Sequence, residues 1–97
     1  MFALDKLTID DFAPLASPLL VSASPAPVPL RVKATRALPP HALRATPPFS
    51  VIFEGPLDRA LHQGTYALDH PVLGRMEVFL VPVARTATGI DYEAVFN

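Results

Sequence analysis

From residue 49 onward the chain alternates apolar and polar positions with the period of two that marks a half-buried strand. Phe49-Ser-Val-Ile-Phe-Glu54 places Phe49, Val51 and Phe53 on one face, and Gly55-Pro56 ends the run. A loop over 56–63 follows. Thr65 to Asp69 alternates again, with Tyr66 and Leu68 inward. His70-Pro-Val-Leu-Gly74 carries proline and glycine where turns favour them. Met76 to Val83 is apolar on both faces after Glu77, which predicts a central strand that needs cover on each side. Pro82 within it marks an edge, a bulge or a strand end. Ala84 to Gly89 reads as a hairpin loop. In the last run Ile90, Tyr92, Ala94 and Phe96 alternate with Asp91, Glu93 and Val95. Residues 49–97 are therefore expected to form a four-stranded antiparallel meander with hairpin connections, its final strand tied into the sheet.

The first half is patterned differently. Residues 7–15 carry the one good helix signal. Thr8 stands at a cap, Asp11 at the third helical position, and Leu7 and Phe12 where a hydrophobic staple would join. Asp10 and Asp11 suit the positive end of a helix dipole, and Pro14 stops the helix after one to two turns. Residues 17–48 hold eight of the twelve prolines, and one or two strands survive between them. Leu19 to Ala23 is short and apolar. Leu30 to Thr35 alternates, with Leu30, Val32 and Ala34 inward and Arg31, Lys33 and Thr35 outward. The Pro25–Pro29 stretch reads as an extended loop, and 37–48 as a long surface loop.

About six short strands with turn signals between them predict one all-β domain over 1–97, a small antiparallel barrel or sandwich with one short N-terminal helix. The expected core is Phe12, Leu30, Val32, Phe49, Val51, Phe53, Tyr66, Leu68, Val78, Leu80, Tyr92, Ala94 and Phe96.

Composition narrows this reading. At 97 residues there is room for one core only. With 51% hydrophobic and 18% charged residues the chain is too apolar to stay disordered. Twelve prolines argue against a helical bundle. The absence of cysteine excludes a disulfide scaffold, a zinc ribbon and a thiol nucleophile. A net charge of −1 without a basic run excludes a phosphate-seeking surface, so no nucleic acid is expected as a partner. No basic leader opens the chain, and no window reaches the roughly 18 apolar residues of a membrane span. The default compartment is cytoplasmic, with membership of an exported or surface assembly left open.

Candidate chemistry is sparse. His41, His62 and His70 are too far apart in sequence to make a local metal pair. None of Ser17, Ser22, Ser24 and Ser50 has the flanks of a nucleophile elbow; Ser50 reads as an outward or cross-strand position. Asp91 and Glu93 share one strand face and are expected to be solvated. Asp69 and Glu77 flank the 70–74 turn and are expected to oppose each other across it unless Arg75 intervenes. Four scattered glycines make no phosphate loop. We therefore expect no catalytic residue, no metal, no cofactor and no small-molecule partner. The inward aromatics Phe49, Phe53, Tyr66, Tyr92 and Phe96 keep a ligand-binding barrel as the alternative, and a small hydrolase after it. A barrel this small is normally filled by its own side chains. The candidate partner contacts are Arg31, Lys33, Gln63, Tyr66 and His70, for a protein partner or a second copy.

Six segments carry a resemblance. They are Leu7-x-x-x-Asp11-Phe12, Phe49-Ser-x-x-Phe-x-Gly-Pro56, Gln63-Gly-Thr-Tyr66, His70-Pro-x-Leu-Gly74, Phe79-Leu-Val-Pro-Val83 and Tyr92-Glu-Ala-Val-Phe-Asn97. Together they resemble a family of bacterial proteins of about this length that has no assigned function. Its members are similar to proteins encoded beside tail-collar, microcystin-dependent-type fibre proteins. The resemblance implies a non-enzymatic structural or accessory role around a phage-tail-like surface fibre, and it supplies no catalytic residues.

Overall fold

The alternation read along the second half becomes the inner and outer faces of a barrel. The structure, a computed structural model, describes residues 7–12, 18–23, 26–39 and 48–96. Six strands lie among them: β1 (Leu19–Val21), β2 (Val28–Ala37), β3 (Phe49–Gly55), β4 (Gly64–His70), β5 (Gly74–Arg85) and β6 (Ile90–Phe96). They close in the order β1-β2-β3-β6-β5-β4, every pair antiparallel. The all-β expectation is met, and its form is a barrel. Closure removes most of the sheet edge that an open sandwich would expose.

The expected four-strand meander is corrected. Of those four strands, β4, β5 and β6 pair in sequence order and β3 does not join β4; β1, β2 and β3 also pair in sequence order. β3 pairs along its whole length with β6, from Phe49 opposite Phe96 to Gly55 opposite Ile90. Alternation fixes which face a residue takes and leaves open which strand lies beside it. Residues 56–63 therefore cross one end of the barrel instead of making a hairpin.

That crossover closes one mouth. Leu57 and Leu61 pack against the core, and the Leu61 N–H donates to the Tyr92 hydroxyl at 2.9 Å. Arg59 ties the loop to the start of β2, donating from Nη2 to the Ala26 carbonyl at 2.7 Å. The other mouth is closed by the N-terminal segment. The helix expected over 7–15 is a single 3-10 turn, Ile9–Asp11, within the described residues; 13–15 lie outside them. The Asp11 carboxylate accepts the Thr8 N–H at 2.8 Å, and the Asp11 N–H donates to the Thr8 carbonyl at 3.0 Å. Phe12 then enters the barrel, its ring 5.3 Å from Phe96, 5.8 Å from Phe49 and 6.0 Å from Phe53. Full burial of such a side chain contributes about 2–3 kcal/mol, against about 1 kcal/mol net for a hydrogen bond. Packing of Phe12 and Leu7 therefore holds this plug more than its capping bonds do.

Most of the expected core is buried. Val32 and Tyr66 are only partly so, while Leu7, Leu19, Val21, Val28, Met76 and Ile90 join it. Two bulges explain departures from the alternation. In β2 the register shifts between Val32 and Ala34, leaving Lys33 as the extra residue. The faces reverse beyond it, so Ala34, expected inward, is exposed, and Thr35 opposite Val51 is half-buried. In β5 the shift falls between Pro82 and Ala84. Pro82 lies past the last β4 partner, since Gly64 pairs with Leu80. The missing N–H thus disturbs no β4 ladder, and proline plus bulge blunt the free edge of β5.

The described part of the proline-rich segment carries more strand than its composition suggests. β2 begins at Val28 and includes Pro29, which the loop expected over 25–29 had claimed. The Leu38 N–H donates to the Pro48 carbonyl at 3.0 Å, extending the β2–β3 ladder. The surface loop expected over 37–48 is thus narrowed at both ends, and 40–47 lie outside the described residues.

Candidate functional site

Arg31 and Lys33 are the two candidate contacts that the fold brings together. Both project from the outer face of β2. Arg31 stands opposite Glu54 of β3, which in turn stands opposite Asp91 of β6. Arg31 Nε donates to Glu54 Oε1 at 2.7 Å, and a guanidinium nitrogen also pairs with that oxygen. Lys33, freed by the bulge, donates to both Asp91 oxygens at 3.1 and 2.9 Å and lies 4.0 Å from Glu54 Oε2. The Thr88 hydroxyl donates to Glu54 Oε2 at 2.9 Å. Hydrogen bonds from Arg31 and then Thr88 hold the Glu54 carboxyl below its ordinary range, and burial opposes them less strongly.

This arrangement depends on Gly89. In the β5–β6 turn the Thr86 hydroxyl accepts the N–H groups of Thr88 and Gly89, each at 3.2 Å. A Cβ on Gly89 would lie 2.6 Å from both Glu54 Cγ and the Gly55 carbonyl oxygen. With no side chain there, the turn lies flat on Glu54 and delivers Thr88. Asp91, expected to be solvated, is 8% exposed and paired. Beside the cluster is a hollow of about 290 Å3 between Pro18, Pro29, Pro56 and the Arg31–Glu54 pair.

The other three candidates lie elsewhere. Gln63 is exposed just before β4. Tyr66 is half-buried, and its hydroxyl donates to the His62 carbonyl at 2.6 Å. His70 is 4% exposed. Its Nδ1 accepts the N–H groups of Val72 and Leu73 at 3.0 and 3.1 Å, so the proton sits on Nε2. Nε2 then donates to the Asp11 carbonyl at 2.6 Å, and the ring meets Phe12 edge-on. This histidine joins the β4–β5 turn to the N-terminal plug and offers no surface to a partner. Across that turn Asp69 faces Arg75, with Nε 3.4 Å from Oδ1, while Glu77 faces Ala67. The expected opposition of Asp69 and Glu77 is thereby corrected.

Ser50 is buried between its β2 and β6 neighbours, Arg36 and Val95. Of the inward aromatics, Phe49 and Phe96 stack at 4.9 Å, and Phe12 from the N-terminal segment lies against Phe49, Phe53 and Phe96. Among the described residues no three His, Asp or Glu side chains converge as metal ligands, and no helix is long and apolar enough to cross a membrane.

The feature that single-residue reading missed is apolar. On the outer face of β5 and β6, Phe79 and Val83 are 50% exposed and Val95 is 48% exposed. The signal for it was the two-sided apolar run 76–83: Met76, Val78 and Leu80 fill the barrel, and the alternate positions are left outside.

No curated protein and no solved structure matches the chain. Over residues 7–96 it matches, and so belongs to, the family described as Domain of unknown function (DUF6916).

Proposed function

We propose that the protein is a non-enzymatic structural or accessory interaction protein that works by docking onto other protein surfaces. The observation that carries this reading is the apolar outer face of β5 and β6, where Phe79, Val83 and Val95 each expose about half of their surface. Large apolar side chains grouped on a small domain's exterior favour protein contact. Two further features agree with it. The barrel interior holds buried aliphatic side chains together with Phe12, Phe49, Phe53, Tyr92 and Phe96. The charged groups around Glu54 and Asp91 are engaged among themselves and leave little reactive capacity. The partner class follows the sequence resemblance: a phage-tail-like surface fibre or its assembly. Co-expression with a tail-collar, microcystin-dependent-type fibre protein from the same genome, followed by purification of either partner, tests it. The expected result is a stoichiometric complex that Phe79→Ser or Val95→Ser weakens. Two proteins that elute separately at high concentration would overturn the fibre assignment.

A further inference from the structure

Among the described residues, Ser50 is the buried polar side chain that the fold leaves without a partner. It is 4% exposed, and its hydroxyl makes no hydrogen bond to another described residue. Buried hydroxyls are nearly always paired. No side-chain oxygen or nitrogen cut off from the surface lacks a partner among the described residues, so the Ser50 hydroxyl keeps an opening. That opening is a hollow of about 180 Å3 over β2, β3 and β6, which Ser50 lines together with Ala34 and Ile52. A cavity of about 150 Å3 accepts a benzene ring, so the hollow has room for one small molecule.

Two charged side chains stand at the sides of this hollow. Arg36 of β2 is opposite Ser50, and Glu93 of β6 is opposite Ile52. β3 runs between them, so their strands lie about 10 Å apart, two strand spacings. Neither makes a hydrogen bond or ion pair among the described residues, with the other or with a third group. Between a cation and an anion lies a hydroxyl that can both donate and accept, beside the apolar surface of Ile52 and Ala34. A simple anion in the hollow would meet the Glu93 carboxylate, and a simple cation the Arg36 guanidinium. An apolar molecule would take water from three polar groups and return nothing. A molecule carrying both charges meets an opposite charge at each end.

We propose that the hollow binds a small amino acid in its zwitterionic form, with the carboxylate on the Arg36 guanidinium, the ammonium on the Glu93 carboxylate and the middle over Ser50 and Ile52. The site goes beyond the docking role and departs from the expectation that no small molecule is bound. Arg36, Ser50 and Glu93 come from three strands, so no local spacing marks it in the sequence. Titration of the isotope-labelled full chain with glycine, β-alanine and γ-aminobutyrate, followed by NMR, tests it. The three probes lengthen the gap between the charges by one methylene at a time. Amide signals around Ser50, on β2, β3 and β6, are expected to shift and saturate with at least one of them. Arg36→Gln and Glu93→Gln should each weaken that binding about tenfold, as for the loss of a hydrogen bond to a charged group, and Ser50→Ala by less. Acetate and methylamine, each with one of the two charges, should bind about tenfold more weakly than the zwitterion. Amide signals of β4, outside the site, show that each variant keeps its fold. No saturable shift with any of the three probes up to about 100 mM, or a shift that both charge variants leave unchanged, overturns the proposal. Equal binding of acetate also overturns it, since the hollow would then be a plain anion site.

Discussion

Lys33 and Asp91 meet at 2.9 Å across 58 residues of sequence. The bulge that leaves Lys33 without a β3 partner turns it outward over the Glu54–Asp91 pair of strands. Lys33→Met removes the cation and keeps most of the stem. Asp91 then stays almost buried with no partner, while Lys33 itself is about one-third exposed and partly screened by water. A loss of about 1 kcal/mol is expected, read from urea unfolding. Asp91→Asn in the Lys33→Met background should cost little more, because the two residues act as one unit.

Glu54 is expected to contribute to the acid limb of stability. Its carboxyl is held below the ordinary value of 4.5, first by the hydrogen bond from Arg31 and then by that from Thr88. A carboxyl whose folded value is depressed contributes stability that is fully present above its unfolded value and lost as pH falls through the folded one. Glu54→Gln should therefore lower the melting temperature by a constant amount at neutral pH. The gap to wild type should close as the pH drops below the unfolded value. Melting curves across the acid range check the sign: a gap that widens on acidification would contradict the assignment.

His70 is expected to act on stability. His70→Phe keeps the aromatic contact with Phe12 but strips three hydrogen bonds. The Asp11 carbonyl and two turn N–H groups lose their partner, and the cost should be about 2 kcal/mol. Chemical denaturation measures it. A residue used only for docking would leave that midpoint unchanged.

Two glycines separate steric from conformational need. Gly74 has φ of 84° and open space around the position of a Cβ. Gly74→Ala should cost only the left-handed strain, about 1 kcal/mol. Gly89→Ala would drive a methyl into the Gly55 carbonyl and the stem of Glu54. It should cost more than Gly74→Ala and also remove the Thr88–Glu54 bond. Unfolding midpoints rank the two, and the acid dependence expected of Glu54 should weaken, with the Arg31 bond still in place, in the Gly89 variant alone.

Local alternation made β3, β4 and β6 legible from the sequence, along with the inward set from Phe49 to Phe96. Neighbour relations were not legible, because period-2 patterning is the same whether β3 lies beside β4 or β6. The bulge at Lys33 was equally hidden: nothing in Leu30 to Thr35 marks the extra residue, and its effect on Ala34 depends on pairing with β3. Of the candidate contacts, Arg31 and Lys33 were found as outward positions, but their engagement by Glu54 and Asp91 required the β3–β6 pairing. His70 was read as a candidate contact because the Asp11 carbonyl that takes its Nε2 proton lies 59 residues away and leaves no local mark. The exposed Phe79 was visible in outline as an apolar strand with too little cover.

The N-terminal plug gives the sharpest test of how the barrel is filled. Phe12 is fully buried and meets Phe49, Phe53, Phe96 and the His70 ring, so it joins β3, β6 and the β4–β5 turn at one mouth. Phe12→Ala removes the ring and leaves a cavity among aromatic neighbours too stiff to collapse into it. A loss of about 3–5 kcal/mol is expected. Thr8→Ala touches only the weak side-chain contact to Asp11 at 3.4 Å and keeps the backbone bonds. It should cost less than about 1 kcal/mol. Equal effects of the two variants would mean that capping, and not the apolar plug, holds this mouth closed. If Phe12→Ala instead exposes the barrel interior, fluorescence of an apolar dye should rise in that variant and stay at the wild-type level in Thr8→Ala.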